Sequence, residues 1–328
     1  MSRSKVVISD YVWKSVDVER GILGPDVDLF PMHTKTEQEF LSEAADCDAL
    51  LNTYAGPITA KAMSEMPKCK IIARYGIGVD TIDLDAATDA GIIVTNNPSY
   101  CVEEVADHTV ALLIGGVRKT SLLDRAVRAG RWDVMEAAPI RRLSTQTVGL
   151  VGFGNIARHV ANRMAAFGVT ILWYDPFLKE EDARAPGSKV ELDELLARAD
   201  LISVHTPLTA DTKGLFGDDL FRKMQPHAYI VNCSRGAVID QDALVRALDG
   251  KLIGGAALDT TVPEPLPIDH PLRHRENVVI NPHAAWYSIE AFAELQAGAP
   301  GEVARVLSGQ TPVHVVNRKV LGRSRAGL

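Results

Sequence analysis

The sequence has little cysteine and no excess of positive charge. Its four cysteines, Cys47, Cys69, Cys101 and Cys233, form no C-x-x-C pair. They indicate reduced thiols in a reducing compartment, not a disulfide framework or a zinc site. We therefore expect a cytoplasmic location and no bound metal. The net charge of −7 and the lack of a Lys/Arg block argue against a nucleic-acid partner, which requires a basic face.

Long hydrophobic runs are also missing. The apolar run Val6–Ile8 is far too short for a signal-peptide core and fits a first strand. No stretch approaches the roughly 18 apolar residues of a membrane span, so we expect a soluble protein without a membrane partner. The 328 residues exceed one typical core, and at about 100–200 residues per domain they predict two domains.

Short runs rich in Val and Ile alternate with helical patterns along the whole chain, which is typical of parallel sheets covered by helices on both faces. The predicted strands are Val6–Ser9, Ala49–Asn52, Ile71–Tyr75, Ile92–Thr95, Val148–Phe153, Thr170–Tyr174, Leu201–Val204, Tyr229–Asn232, Gly255–Leu258 and Val278–Ile280. The predicted helices of the first third are Thr36–Ala45, Thr59–Met66 and Leu84–Ala90.

Two helical patterns determine the predicted domain organisation. A long one runs from about Val102 to Arg131 and is apolar on more than one face. Only one helix-sized segment, Ile289–Leu307, follows the last strand, which is too little for a third domain. We expect it to pack on the first domain. That domain would then comprise residues 1–100 and 290–328, with residues 101–289 inserted between them.

A dinucleotide-binding motif begins the second series of strands. Gly152, Gly154 and Ala157 occupy the positions of G-x-G-x-x-G/A between a strand and a helix. In this motif the first glycine permits the tight turn, the second lets the backbone approach a pyrophosphate, and the third small residue allows close helix–strand packing. The next strand ends in Asp175, about twenty residues further on, where an acidic side chain can bind a ribose 2′-OH. Because Asp175 would repel a 2′-phosphate and no Arg follows it directly, NAD is favoured over NADP.

Four charged or titratable residues lie at or just beyond the ends of later strands: Arg235, Asp259, Glu264 and His283. Ligands of open α/β sheets bind at the carboxyl ends of strands. Taken singly, Arg235 could be a surface ion-pair partner, Glu264 a solvated loop residue and His283 a satisfied buried histidine. Together, behind a dinucleotide motif, they favour an active site.

The chain resembles the D-isomer-specific 2-hydroxyacid dehydrogenases from about Lys70 to Trp286. The matching stretches, in order, are Gly76-Ile77-Gly78-Val79-Asp80, Val151-Gly152-Phe153-Gly154-Asn155-Ile156, His205-Thr206-Pro207-Leu208-Thr209, Ser234-Arg235-Gly236, Ala257-Leu258-Asp259 and Pro282-His283. The resemblance implies a Rossmann NAD-binding domain inserted into a flavodoxin-like substrate domain, and a homodimer whose core is the helical pattern from Val102 to Arg131.

The resemblance also implies roles for individual residues. Arg235 would bind the substrate, and Glu264 with His283 would form the acid/base pair. Asp259 would hold the nicotinamide carboxamide, and the backbone N–H groups of Ile77 and Gly78 would receive the substrate carboxylate, as concave runs of N–H groups bind anions. The further cofactor contacts implied are Asn155, Ile156, His205, Thr206, Pro207, Cys233, Ser234 and His283.

These roles together predict hydride transfer between NAD and C2 of a small D-2-hydroxy or 2-keto acid. As imidazolium, His283 would supply the proton to the ketone oxygen, with Glu264 on its other ring nitrogen. The planar fork of Arg235 would hold the carboxylate and the developing alkoxide. Trp286 either walls the substrate pocket or packs between the domains, and Tyr54 and Arg74 are either further pocket residues or simply surface or core residues.

Several alternatives remain open at this point. The substrate could be phosphoglycerate, glyoxylate, hydroxypyruvate or a bulkier keto acid. Residues Val102–Asp107 and Ala285–Ser288 resemble the C-terminal binding protein branch, whose co-repressors use this fold as an NAD(H)-sensing binding module. Retention of Arg235, Glu264 and His283 favours an enzyme over such a sensor. The Glu264–His283 pair also disfavours formate oxidation, which needs no proton transfer.

Overall fold

The computed structural model describes residues 3–328 and divides the chain into two compact units. One unit contains the chain up to Cys101 together with Ser288–Leu328, and the other contains Val102–Tyr287. Each unit is built on one sheet whose paired strands are all parallel. The two-domain α/β fold class predicted from the sequence is confirmed.

The strands are β1 Ser4–Ile8, β2 Val27–Pro31, β3 Ala49–Asn52, β4 Ile71–Arg74, β5 Ile93–Thr95, β6 Thr147–Val151, β7 Thr170–Tyr174, β8 Ser188–Lys189, β9 Leu201–Val204, β10 Tyr229–Asn232, β11 Gly255–Leu258 and β12 Val278–Ile280. The α-helices are α1 Asp17–Leu23, α2 Glu37–Ala44, α3 Ala60–Ser64, α4 Leu84–Asp89, α5 Val102–Arg118, α6 Thr120–Arg128, α7 Asn155–Ala165, α8 Leu192–Arg198, α9 Asp218–Lys223, α10 Gln241–Asp249 and α11 Ile289–Leu307. Among residues 3–328, no helix combines the length and the apolar character that crossing a bilayer requires.

The first unit has the strand order β2-β1-β3-β4-β5, which is the flavodoxin-like order. Helices α2, α3 and α4 contribute buried side chains to the apolar cluster on one face of its sheet. Helix α11 packs against α1, β3 and β4, so residues from both ends of the chain build this unit. Two elements, β2 and α1, were not predicted, because β2 is a partly exposed edge strand without an apolar run and α1 is only seven residues long.

The second unit has the strand order β8-β7-β6-β9-β10-β11-β12. This is the Rossmann order 3-2-1-4-5-6 with a seventh strand added, and the direction of the strand order reverses between β6 and β9. Helices α5 and α7 cover one face of the sheet with apolar side chains, and α8, α9 and α10 cover the other. The loops after β6, β7, β9, β10, β11 and β12 therefore emerge along one edge of the sheet.

The prediction of one helix from Val102 to Arg131 is wrong. The chain forms α5 and α6, and Lys119 between them has a left-handed backbone conformation with φ of +53°. Near the end of α5, a Cβ atom on Gly116 would lie 2.4 Å from the ring of Tyr229. Glycine is thus required there because the helix approaches β10 closely, a non-local contact that no helical periodicity reveals.

A buried carboxylate, Glu19 on α1, joins α1 to α11 in the first unit. Its two oxygens accept hydrogen bonds from Tyr75 Oη at 3.3 Å and from Gln296 Nε2 at 3.1 Å, and Gln296 Nε2 also donates to Ser15 O at 3.0 Å. Burial raises the pKa of Glu19, because these bonds do not compensate for the lost hydration. The folded unit therefore binds a proton at Glu19 more readily than the unfolded chain does.

We expect Glu19→Gln to remove one source of pH dependence from the stability of the first unit. A carboxyl whose pKa is raised on folding binds protons more readily in the folded state. The free energy of unfolding then falls as the pH rises from the ordinary glutamate value toward the folded one. Urea unfolding at a series of pH values should show a flatter dependence for Glu19→Gln and higher stability near neutral pH. Glu65→Gln, at an exposed site, is the matched control, and equal pH dependence of all three proteins would contradict the prediction.

Candidate active site

The glycine turn after β6 has the geometry of a dinucleotide cradle. Gly152 has φ of +87°, and a Cβ atom there would lie 2.9 Å from the carbonyl carbon and oxygen of His205, so only glycine fits. Gly154 precedes α7, and a Cβ atom there would meet no atom within 4 Å. No side chain of the described residues caps α7, and its first N–H groups therefore point toward open space. Backbone N–H groups and a positive helix end, with room beside them, suit a pyrophosphate.

Asp175 lies directly after β7, next to the glycine turn. One carboxylate oxygen accepts the Phe153 N–H at 2.9 Å and the other accepts the Phe177 N–H at 2.9 Å. These bonds fix the orientation of the side chain, which is partly exposed. A carboxylate has about four lone-pair positions, so Asp175 keeps the capacity to accept from ribose hydroxyl groups.

His205 and Thr206 follow β9 on the other side of the glycine turn. The atoms His205 Nε2 and Thr206 Oγ1 are inaccessible to solvent and have no hydrogen-bond partner among residues 3–328. Burial lowers the pKa of His205 to about 4, and its ring is therefore neutral near pH 7. Buried polar atoms without partners are rare in folded proteins, and here they fit contact with a polar ligand. Pro207, the third predicted cofactor contact after β9, is exposed.

The loop after β10 carries Arg235 and is organised by the buried Asn232. Asn232 Oδ1 accepts from Ser234 N at 3.0 Å and from Ser234 Oγ at 2.8 Å, and Asn232 Nδ2 donates to Arg235 O at 2.9 Å. A Cβ atom on Gly236 would lie 2.5 Å from the backbone of Thr261, so this loop packs closely on the loop that carries Glu264. Sequence analysis missed the positioning role of Asn232. Burial raises the pKa of the Cys233 thiol to about 12, so Cys233 stays protonated.

The structure brings Glu264 and His283 together. His283 Nδ1 lies 2.8 Å from Glu264 Oε2, and Glu264 Oε1 accepts the Thr261 N–H at 3.1 Å. Burial would raise the pKa of Glu264, but the hydrogen bond and charge of His283, the Thr261 N–H and the charge of Arg235 together lower it. Glu264 is therefore ionised near neutral pH. Both side chains are partly exposed, at 39% for Glu264 and 27% for His283, so small molecules can reach the pair.

Asp259 holds the backbone of the loop that carries His283. Its side chain is only 1% exposed, and its two oxygens accept the N–H groups of Ala284 and Ala285, each at 2.9 Å. The carbonyl of Asp259 accepts the His283 N–H at 2.8 Å. His283 itself has a left-handed backbone with φ of +52°. Sequence analysis assigned Asp259 to the cofactor alone and missed this second, structural role.

A cavity of about 530 Å³ opens beside the Glu264–His283 pair within the second unit. Its polar wall includes Asp259 and the guanidinium groups of Arg125 and Arg273. Leu266, Leu272 and the strand β12 supply its apolar wall. Trp286, three residues past His283, packs edge-to-face on Tyr287 with ring centroids 5.5 Å apart.

In the first unit, hydrogen bonds hold the carbonyl groups of the loop that contains Ile77 and Gly78. The carbonyl oxygens of Gly76, Ile77 and Gly78 accept from Asn97 N at 2.9 Å, Asn96 Nδ2 at 2.7 Å and Arg74 Nε at 3.0 Å respectively. The N–H of a trans peptide points away from the preceding carbonyl. The N–H groups of Ile77 and Gly78 therefore point away from the donors that hold the carbonyls of Gly76 and Ile77.

Arg74 and Tyr54, the other candidates of the first unit, interact with each other. The Arg74 guanidinium lies 5.5 Å from the centroid of the Tyr54 ring, and Arg74 Nη1 donates to Asn52 Oδ1 at 3.3 Å. Arg74 is buried and Tyr54 is exposed. Arg74 therefore holds the loop of Ile77 and Gly78 through its bond to Gly78 O. The Tyr54 ring is exposed at the surface.

Comparison with known proteins identifies related proteins. The profile of the family described as "D-isomer specific 2-hydroxyacid dehydrogenase, NAD binding domain" matches residues 110–285. The chain is 38% identical over 291 residues to the glyoxylate reductase of Korarchaeum cryptofilum, covering 87% of each chain. It is 35% identical to the D-3-phosphoglycerate dehydrogenase of Methanocaldococcus jannaschii, covering 89% of this chain and 56% of the other.

A solved structure is similar over nearly the whole chain. It is the D-lactate dehydrogenase of Aquifex aeolicus in complex with NAD and lactic acid, with a TM-score of 0.85 and 28% identity, covering 93% of this chain and 96% of the other. The chain belongs to the D-isomer-specific 2-hydroxyacid dehydrogenase family. It is an NAD-dependent oxidoreductase that acts on a CH–OH donor.

We expect Gly154→Ala to weaken NADH binding without destabilising the protein. The added methyl group meets no atom of the chain, but it occupies space that the pyrophosphate needs beside α7. The dissociation constant of NADH, measured by fluorescence titration, should rise about tenfold or more, which corresponds to about 1.4 kcal/mol or more. Gly301→Ala in α11, where an added Cβ also meets open space, is the control. Unchanged NADH affinity of Gly154→Ala would contradict the assignment of the cradle.

Proposed function

We propose that the chain transfers hydride between NAD(H) and C2 of a small D-2-hydroxy or 2-keto acid, with His283 as the general acid and base. The observation that carries the proposal is the 2.8 Å contact between His283 Nδ1 and Glu264 Oε2. A histidine whose second nitrogen is held by an ionised carboxylate is the usual arrangement of a proton-transfer catalyst. The charge of Arg235 also contributes to the lowered pKa of Glu264, which supports a cation near this pair.

In the direction of keto-acid reduction, each residue has a separate task. Bound NADH supplies the hydride to C2. His283 Nε2, carrying the proton of the imidazolium, gives it to the ketone oxygen while Glu264 holds Nδ1. The Arg235 guanidinium binds the carboxylate and stabilises the negative charge that develops on the oxygen. In the oxidative direction, neutral His283 takes the hydroxyl proton.

The cofactor and the carboxylate have further contacts under this proposal. Gly152, Gly154, Asn155 and Ile156 would hold the pyrophosphate, and Asp175 the ribose. The remaining cofactor contacts proposed are His205, Thr206, Pro207, Cys233, Ser234, Asp259 and His283. Asp259 would bind the nicotinamide carboxamide through lone pairs that Ala284 and Ala285 do not use. The N–H groups of Ile77 and Gly78 would receive the substrate carboxylate.

We propose a small 2-keto acid as the substrate, with Trp286 as one wall of its pocket. Relatives are named for glyoxylate and for 3-phosphoglycerate, and a similar structure contains lactic acid, so their substrates share only the 2-oxygenated acid. A panel of glyoxylate, hydroxypyruvate, pyruvate, phosphohydroxypyruvate and phenylpyruvate, assayed by NADH oxidation, separates small from phosphorylated and bulky acids. Preference for phenylpyruvate would contradict the proposal of a small substrate.

His283→Ala should lower kcat about 10²–10⁴-fold, the usual contribution of one general acid or base, with little effect on NADH affinity. Glu264→Gln should lower the pH at which keto-acid reduction falls to half, because it removes the charge that favours the imidazolium. Since its lowered pKa keeps Glu264 ionised near neutral pH, the full effect of the substitution should be present there. The measurement is a pH profile of kcat/KM. An unmoved profile for Glu264→Gln would refute the pairing, and near-wild-type turnover of His283→Ala would favour a sensor without catalysis.

We also propose that two copies form a two-fold dimer through α5 and the segment that follows α6. This segment exposes Trp132 at 89%, Val134 at 72% and Met135 at 65%, an amount of apolar surface that favours a protein partner.

Light scattering at micromolar concentration should give twice the mass of one chain. A double substitution, Trp132→Ser with Met135→Ser, should shift the equilibrium toward the monomer because it removes apolar surface from the contact. Ile289→Ser, at an exposed residue of α11, is the control and should leave the mass unchanged. A monomeric wild-type chain would rule out the dimer.

A further inference from the structure

His108 on α5 lies next to the loop that carries His283. Sequence analysis assigned it no role. Its Nε2 atom is 3.2 Å from Asn281 Oδ1 and 3.7 Å from Asp259 Oδ1. The side chain is partly buried, whereas Asp259 is almost completely buried. One ring nitrogen therefore faces two polar groups that lie at the carboxyl ends of β12 and β11.

These two partners of His108 hold the two ends of the segment 281–285. Asn281 begins it and donates its N–H to Leu258 O at 2.9 Å. Asp259 holds its other end through the N–H groups of Ala284 and Ala285. The segment is thus attached to β11 by backbone bonds and to α5 by the His108 ring.

Attachment of the segment 281–285 matters because His283, which lies in it, has an unfavourable backbone conformation. A non-glycine residue with φ of +52° persists only where its surroundings fix it. The imidazole of His283 must nevertheless keep its 2.8 Å contact with Glu264. Any loss of attachment at Asn281 or Asp259 allows the segment to relax and separates the two side chains.

We infer that His108 is a positioning residue for the catalytic pair. Its Nε2–H donates to Asn281 Oδ1 and faces the carboxylate of Asp259, and in this way it holds His283 against Glu264. The inference rests on the proposed role of His283 in proton transfer. His108 acts through Asn281 and Asp259 and has no direct part in the chemical step.

The test compares His108→Ala and His108→Gln with wild type. His108→Ala should lower kcat about tenfold, leave the dissociation constant of NADH unchanged, and lower the pH of half-maximal keto-acid reduction in the same direction as Glu264→Gln. His108→Gln should recover most of kcat and the wild-type pH profile, because its Nε2 can still donate to Asn281 Oδ1. The Gln variant also keeps the test valid if His108→Ala does not fold.

His227→Ala is the matched control. His227 is also a partly buried histidine paired with a carboxylate, Asp200, but it precedes β10, at the amino ends of the strands. The control should resemble His108→Ala in thermal stability while it retains kcat and the wild-type pH profile. An equal loss of kcat in both variants would show a general effect on folding and overturn the inference.

A double-mutant cycle tests the route through Asn281. If His108 acts through this residue, His108→Ala combined with Asn281→Ala should lose no more than about twofold in kcat beyond His108→Ala alone. Fully multiplicative losses would overturn the inference. So would a fall in NADH affinity as large as the fall in kcat/KM, which would make His108 a cofactor contact.

The outcomes separate this inference from the proposed function. Near-wild-type turnover of His283→Ala would refute the proposed function itself. An inactive His283→Ala together with wild-type kcat and an unmoved pH profile for His108→Ala would leave the proposed function intact and refute only the role of His108.

Discussion

The buried carboxylate of Asp259 is the interaction on which the candidate site depends. A charge removed from water is costly unless hydrogen bonds replace its hydration, and here two backbone N–H groups of the following loop supply them. The need to satisfy this charge therefore dictates the course of the chain after β12. It brings His283 to Glu264 in a backbone conformation that the residue would not adopt alone. The buried Asp259 thus fixes the position of His283.

The environment gives the titratable groups around the dinucleotide cradle and the acid/base pair different charge states at the same pH. Glu264 is ionised because partners lower its pKa, His205 is neutral because burial lowers its pKa to about 4, and Cys233 is protonated because burial raises its pKa to about 12. A fold can carry out acid and base chemistry near neutral pH because the environment of each group sets its charge state. Of the two histidines, only His283 has a carboxylate partner, and the neutral His205 is suited to an uncharged contact.

Much of the fold could be predicted because its signals are local. The apolar runs predicted β3, β7, β9, β10, β11 and β12 with the bounds that the structure has, and the last helix, α11, was also correct. Elements that depend on distant contacts were missed. The break at Lys119 was missed because no local pattern indicates it, and the edge strand β2 because it has no apolar run. The same distinction applies to the site. The glycines and Asp175 belong to a motif of fixed spacing, whereas the contacts of Asn232 and the Asp259 carboxylate arise where separate loops meet, and the role proposed for His108 arises where α5 meets a loop.

The construction of the first unit from both ends of the chain has a consequence for synthesis on the ribosome. When Cys101 emerges, the strands of this unit exist but α11, which packs on α1, β3 and β4, has not been made. The side chain of Asn317, which bonds the backbone of Val94 and Ile92, is also still missing. The second unit, which is continuous in sequence, has all of its strands and helices before α11 is made. The earliest-made part of the protein is therefore the last to close its core, and its uncovered face is where nascent chains are exposed to aggregation and to chaperones.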